Sequence, residues 1–142
     1  MIRFGFKANV KGLDRYIANL DKLEMVVMAT AANIEGDAKQ SILTNSGKFN
    51  PSKRGGKIHW SSLPGNPPNS DLGNLAASIR HRRINRTKAE VSVGAAYGIP
   101  LEIGWIAENG NHVPARPFMT PAVQRHEKPF VAAIRAVLKG GR

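Results

Sequence analysis

Four histidines, His59, His81, His112 and His126, and two carboxylates close in sequence, Glu102 and Glu108, are the side chains here best suited to acid–base or metal chemistry. The histidines are scattered. None belongs to a His-Glu-x-x-His pattern, and the chain has no cysteine to complete a metal site. No Gly-x-Gly-x-x-Gly or Gly-x-x-x-x-Gly-Lys phosphate loop occurs, and Gly55-Gly56 lacks the flanking strand and helix that such a loop requires. For each carboxylate a salt bridge or a helix-end charge is the simpler reading. The expectation is a protein that is not an enzyme and uses neither metal nor cofactor.

Charge is the stronger signal. Among 142 residues, 21 Lys and Arg against 10 Asp and Glu leave a formal +11, so polyanions or acidic protein surfaces are the expected neighbours. One cluster is "RHRRINRTK", with Arg80, Arg82, Arg83, Arg86 and Lys88. It could touch DNA phosphates, which arginines hold without reading sequence, pair with acids on another protein, or remain a solvated edge. It contains no interleaved aromatic, which argues against a single-strand binder. A second basic region, with Lys39, Lys48, Lys53, Arg54 and Lys57, falls between Asp37 and Asp71 and contains no acid.

A third feature is "PARPF", residues 114 to 118. Pro114 and Pro117 hold the chain extended and remove hydrogen-bond donors, which suits a sheet edge or a subunit seam. Phe118 is expected to anchor in a core while Arg116 leaves the opposite face, either toward an acidic partner or into solvent.

The elements that position these groups follow from periodicity. Ile2, Phe4, Phe6, Ala8 and Val10 alternate with polar residues and predict a first strand. Leu13, Tyr16, Ile17, Leu20, Val27, Ala31, Ile34, Ala38 and Ile42 form a helical stripe, predicting a helix from about 13 to 43. Within it "MVVMATAA" is apolar or small all round, so Val26 and Ala29 point off the main stripe: either they offer a second contact, most simply a neighbouring subunit, or they serve only as good helix formers.

Residues 44 to 70 show no regular period. They read as a long loop, mobile until a partner orders it, with Phe49 and Trp60 as its apolar anchors. Ser70 is placed to cap a short helix, "DLGNLAASI". Strands follow at about 79 to 84 and 89 to 95, a basic hairpin whose first strand has cations on both faces and therefore suits an edge. "YGIPLEIGW" reads as a short helix ended by Gly104, and Asn109-Gly110 as a turn. The closing helix is expected to begin at Thr120 as cap, with Pro121 in its first turn, Pro129 as a kink, and Val123, Phe130, Ile134, Val137 and Leu138 on one side.

Together these predict a single α+β domain spanning residues 1 to 142: a mostly antiparallel sheet of about four strands, packed by a long N-terminal helix and a C-terminal helix. No apolar run approaches the roughly 20 residues that cross a bilayer, and the first residues do not resemble a signal peptide, so a cytoplasmic protein without a membrane partner is expected.

Two stretches carry more than periodicity. "PGNPPNSDLGNLAASI", then "YGIPLEIG" and "PARPFMTPA", occur in an order and spacing that resembles the tail-completion, or head-to-tail joining, proteins of long-tailed bacteriophages. The matching positions are Pro64, Gly65, Pro67, Pro68, Asp71, Gly73, Leu75, Tyr97, Glu102, Gly104, Pro114, Ala115, Arg116, Pro117, Phe118, Pro121 and Ala122. Asn66, Leu72, Ile103 and Trp105 depart from that pattern.

The resemblance implies a structural virion protein of the phage neck that forms a ring of six copies. Such a ring joins the head connector or stopper to the tail terminator or tail tube, with double-stranded DNA passing through its centre. It would be made in the host cytoplasm and end in the virion. On that reading Val26, Ala29, Phe49, Trp60, Glu102, Trp105, Arg116, Pro117 and Phe118 are the expected subunit or ring interface. Arg80, Arg82, Arg83, Arg86 and Lys88 are the expected contacts to DNA or an acidic partner. A tail terminator of the same particle and a stand-alone small basic DNA-binding protein are the alternatives.

Overall fold

The apolar stripe of the long helix organises the whole core. The computed structural model describes residues 2–5, 20–54 and 56–140. Helix α1 (Leu20–Thr44) buries Val27, Ala31, Ile34, Ala38 and Ile42 as the periodicity predicts, and also Leu23, one turn before Val27. The predicted helical positions 13 to 19 lie outside the described residues, as does the first strand beyond β1 (Ile2–Gly5).

Strands β4 (Ile79–Asn85) and β5 (Lys88–Val93) form the expected hairpin, and β1 pairs with the other edge of β5. The resulting antiparallel sheet has the order β1-β5-β4, so β4 is an edge as its charge pattern requires. Ile79, Ala89, Val91 and Val93 are buried against α1, alongside Leu75 and Ala76 of α2 (Asn74–Ser78). This is the α+β architecture read from the sequence, with three strands rather than about four in the main sheet among the described residues. The other strands form two separate pairs.

One pair lies where a loop without regular structure was expected. Strands β2 (Phe49–Arg54) and β3 (Lys57–Ser61) make an antiparallel hairpin, pairing Lys53 with Ile58 and Pro51 with Trp60. The alternation is hidden because the register shifts between Phe49 and Pro51, at Asn50 with its positive φ of 40°. The side-chain amide of Asn69 donates to the carbonyls of Gly47 and Trp60 and ties the base of the hairpin.

Short helix α3 (Gly98–Ile103) ends at Gly104 as predicted, and β6 (Trp105–Ile106) pairs with β7 (His112–Val113) around the Asn109-Gly110 turn. Helix α4 (Met119–Lys139) runs through Pro129 and packs on α1, burying Met119, Ala122 and Ile134. Two predicted caps are corrected. Gly73, not Ser70, occupies the N-cap position of α2, and Phe118, not Thr120, occupies that of α4, in neither case with a side-chain bond from the cap residue itself.

Candidate assembly site

The donors at the start of α4 are satisfied from a distance. Glu102, on α3, is buried, and its Oε2 accepts hydrogen bonds from the backbone N–H groups of Phe118 (2.9 Å) and Met119 (3.0 Å). Its Oε1 accepts from the N–H of Thr120 at 2.8 Å. A carboxylate at the positive end of a helix, receiving three otherwise unpaired donors, combines the dipole interaction with hydrogen bonds to a charged group, each contributing roughly 1.5–3 kcal/mol. The helix-end reading of Glu102 is the one that geometry supports.

Local backbone constraints place α3 for this task. A Cβ at Gly98 would lie 2.6 Å from Cγ1 of Val93, so only glycine lets α3 sit this close to the central strand. Gly104, at φ 76°, turns the chain where a Cβ would meet the Val113 carbonyl at 2.7 Å.

The proline-rich segment locks onto the same helix. The Arg116 N–H donates to the Leu101 carbonyl at 2.6 Å, and Gly65 N–H donates to the Ala115 carbonyl at 2.9 Å. The Arg116 guanidinium donates through Nε to the Ser62 carbonyl (3.2 Å) and through Nη1 to that of Pro114 (3.3 Å). Arg116 is therefore buried, not turned outward as expected, because two backbone carbonyls of the chain itself receive it. Phe118 does anchor in the core, and Pro117 is half-buried.

Thus the segments around 62–65, 97–104 and 114–120, separate in sequence, form one interlocked unit. Glu102, Arg116 and Phe118 act inside the chain: carboxylate, guanidinium and ring are all enclosed, so the exposed interface role that the resemblance implied for them passes to their neighbours. What the unit presents to solvent is apolar. Tyr97, Ile99, Ile103 (70% exposed), Trp105 and Ile106 (73% exposed) cover α3 and β6. Trp105 and Ile106 line a shallow depression with Ala107, Glu108 and Asn109. Of the other expected interface residues, Val26 is half-buried and Ala29 exposed on α1, while Phe49 and Trp60 belong to the β2–β3 hairpin.

Comparison with known protein families, curated proteins and solved structures finds no match to this chain. The geometry of its own residues therefore carries the functional argument.

That geometry changes the reading of the arginine-rich hairpin. Arg82 Nε lies 2.9 Å from Oε1 of Glu90, and Arg83 Nε lies 2.7 Å from Oε1 of Glu24. Arg86 pairs with both Glu24 (3.2 Å) and Asp21. Three of the five cations expected to meet DNA or another protein are thus paired with acids of this chain. Arg80 and Lys88 have no carboxylate partner among the described residues.

Cations do leave both faces of β4, and the inner face is received by α1. His81 lies under the same influence: its backbone N–H (2.6 Å) and Nδ1 (2.5 Å) both contact Oε2 of Glu35, whose other oxygen pairs with Lys39. Burial pushes the Glu35 carboxyl up, but hydrogen bonds from Lys39 and from the His81 ring and backbone outweigh it and hold it at about 2. Asp37 behaves alike: burial raises its pKa, yet bonds to His126 and Arg125, each at 2.8 Å, bring it below its ordinary value and link α1 to α4.

These acids were the functional residues that motif reading passed over. Their signal was present, since Asp21, Glu24 and Glu35 are spaced by 3 and 11 residues and so share one face of α1. Among the described residues no three His, Cys, Asp or Glu side chains gather to hold a metal ion, and no helix is long and apolar enough to cross a membrane.

Proposed function

We propose that this chain is a ring-forming structural protein of a long-tailed phage neck, joining the head connector to the tail tube or its terminator and keeping the DNA channel continuous. The observation that carries the reading is the exposed apolar face from Tyr97 to Ile106, held rigid by the Glu102 and Arg116 bonds behind it. The residues of the resemblance, dispersed over about 60 positions of sequence, supply that unit: Gly65, Glu102, Gly104 and Arg116 all contribute bonds or turns to it.

A closed ring of identical subunits needs two different surfaces on each copy, one docking on the other. The α3–β6 face is one. The second is on α1, where Met25 is exposed and Val26 and Ala29 point off the core stripe. Subunits made in the host cytoplasm would close on the connector and remain in the virion.

The test measures assembly mass for the protein alone and with tail tubes or filled heads. The expected result is a small species alone and a ring on the particle, with Ile103→Asp and Ile106→Asp preventing ring closure while leaving the thermal midpoint unchanged. Rings that form normally from both variants would remove the α3–β6 face from the interface. A wild-type chain that ignores both particles would sink the neck reading.

A further inference from the structure

Most of the chain's acids are already committed, and the pattern of commitment leaves the cations of the β2–β3 hairpin without acids of their own among the described residues. Glu24, Glu35, Asp37 and Glu90 pair with Lys39, Arg82, Arg83, Arg86, Arg125 or a histidine. Glu102 caps α4. The β2–β3 hairpin receives nothing comparable: Lys48, Lys53 and Lys57 are exposed, and none has a carboxylate within 4.0 Å among the described residues. The nearby Asp71 approaches His59 instead, at 3.7 Å.

The same hairpin bears the aromatic that the arginine cluster lacks. Lys48 Nζ stands 6.0 Å from the centre of the exposed Trp60 ring, and Lys53 is registered opposite the exposed Ile58. A cationic two-stranded ribbon with an apolar ring beside its charges suits duplex DNA, whose major groove admits such a ribbon and whose phosphates attract it.

We propose that the β2–β3 hairpin, through Lys48, Lys53 and Lys57, is the surface that meets the phosphate backbone of duplex DNA, and that the arginine-rich β4–β5 hairpin is not. The identity of the polyanion rests on the neck reading, in which DNA is the polyanion that passes the ring. The charge argument stands on the ion pairs alone.

The experiment titrates the full chain against a short random-sequence duplex across about 50 to 200 mM salt, following fluorescence anisotropy. Replacing all three lysines (Lys48→Gln, Lys53→Gln, Lys57→Gln) is expected to flatten the slope of log affinity against log salt by about 1 per lysine, about 3 in all. Arg82→Gln with Arg83→Gln is expected to leave it unchanged. Loss of slope in the arginine variant alone, equal loss in both, or no binding by the wild type overturns the proposal.

So does a lysine variant that holds DNA normally but no longer joins the particles, which would make the hairpin's partner an acidic protein. Failure of the wild type to form rings on particles, with the lysine effect on DNA intact, would sink the neck reading and leave the hairpin assignment standing.

Discussion

The molecule carries two antiparallel hairpins of similar length and similar basic composition, and they meet opposite fates. In β4–β5, Ile79, Ala89, Val91 and Val93 enter the core, while Arg82, Arg83 and Arg86 find Glu90, Glu24 and Asp21. In β2–β3 the strands pair only with each other, Ile58 is 62% exposed, and the lysines face water. The difference comes from what lies beneath. Helix α1 presents an acidic row and an apolar stripe to β4–β5, whereas among the described residues β2–β3 contributes none to the buried core. A run of cations in a sequence is therefore left without in-chain partners only where the fold supplies no acids of its own.

The largest expected effect tests that contrast with one residue type. Ile79→Ala empties a fully buried site and is expected to lower stability by about 2–5 kcal/mol, the range for truncating a core isoleucine. Ile58→Ala, on the exposed hairpin, should stay within about 0.5 kcal/mol. Urea midpoints of the two variants measure both. Equal losses would mean that β2–β3 is packed into the fold after all, and the contrast would fail.

Much of the β4–β5 side of this comparison was legible in sequence. The alternation of Val91 and Val93 with Glu90 and Ser92 marked the second strand, the cations on both faces placed β4 at the edge, and the stripe from Val27 to Ile42 predicted the helix that lies beneath. The β2–β3 side was not, since the shift at Asn50 and a proline inside β2 break the period-2 pattern. The clamp was only half legible. Thr120 is a sensible cap by local rules, but Glu102, 18 residues earlier, outcompetes it with a carboxylate already fixed by α3. Arg116 turns inward toward a carbonyl 54 residues away, a partner that no local pattern encodes.

A second prediction concerns how β4–β5 is fastened to α1. Glu35, ordinarily at 4.5, is held at about 2 in the folded chain, so the unfolded state takes up the proton first as pH falls. The contribution is fully present above about 4.5, declines as pH drops, and is gone below about 2. Its size is at most about 3 kcal/mol, and the lowered Asp37 adds in the same direction. Stability measured by urea unfolding from neutral pH to pH 2 should show this decline, and Glu35→Gln should flatten it. An unchanged slope in that variant would assign the acid sensitivity to other carboxylates.

The smallest effect on stability offers the sharpest view of the charge contrast. Glu24 pairs with both Arg83 and Arg86 at a partly exposed site, so Glu24→Gln should lower stability by only about 1 kcal/mol. It also releases Arg83, and leaves Arg86 with Asp21 alone, on a hairpin that otherwise resembles β2–β3 in charge. If in-chain pairing is what keeps β4–β5 away from DNA, the variant should gain about 1 in the salt slope of DNA binding, for the freed Arg83. Glu127→Gln, which removes an exposed acid from α4, controls for net charge. A gain confined to Glu24→Gln would show that its carboxylate keeps the arginines occupied. Equal gains in the two variants would reduce the effect to overall charge, and the ion pairs would lose their role in choosing which hairpin meets DNA.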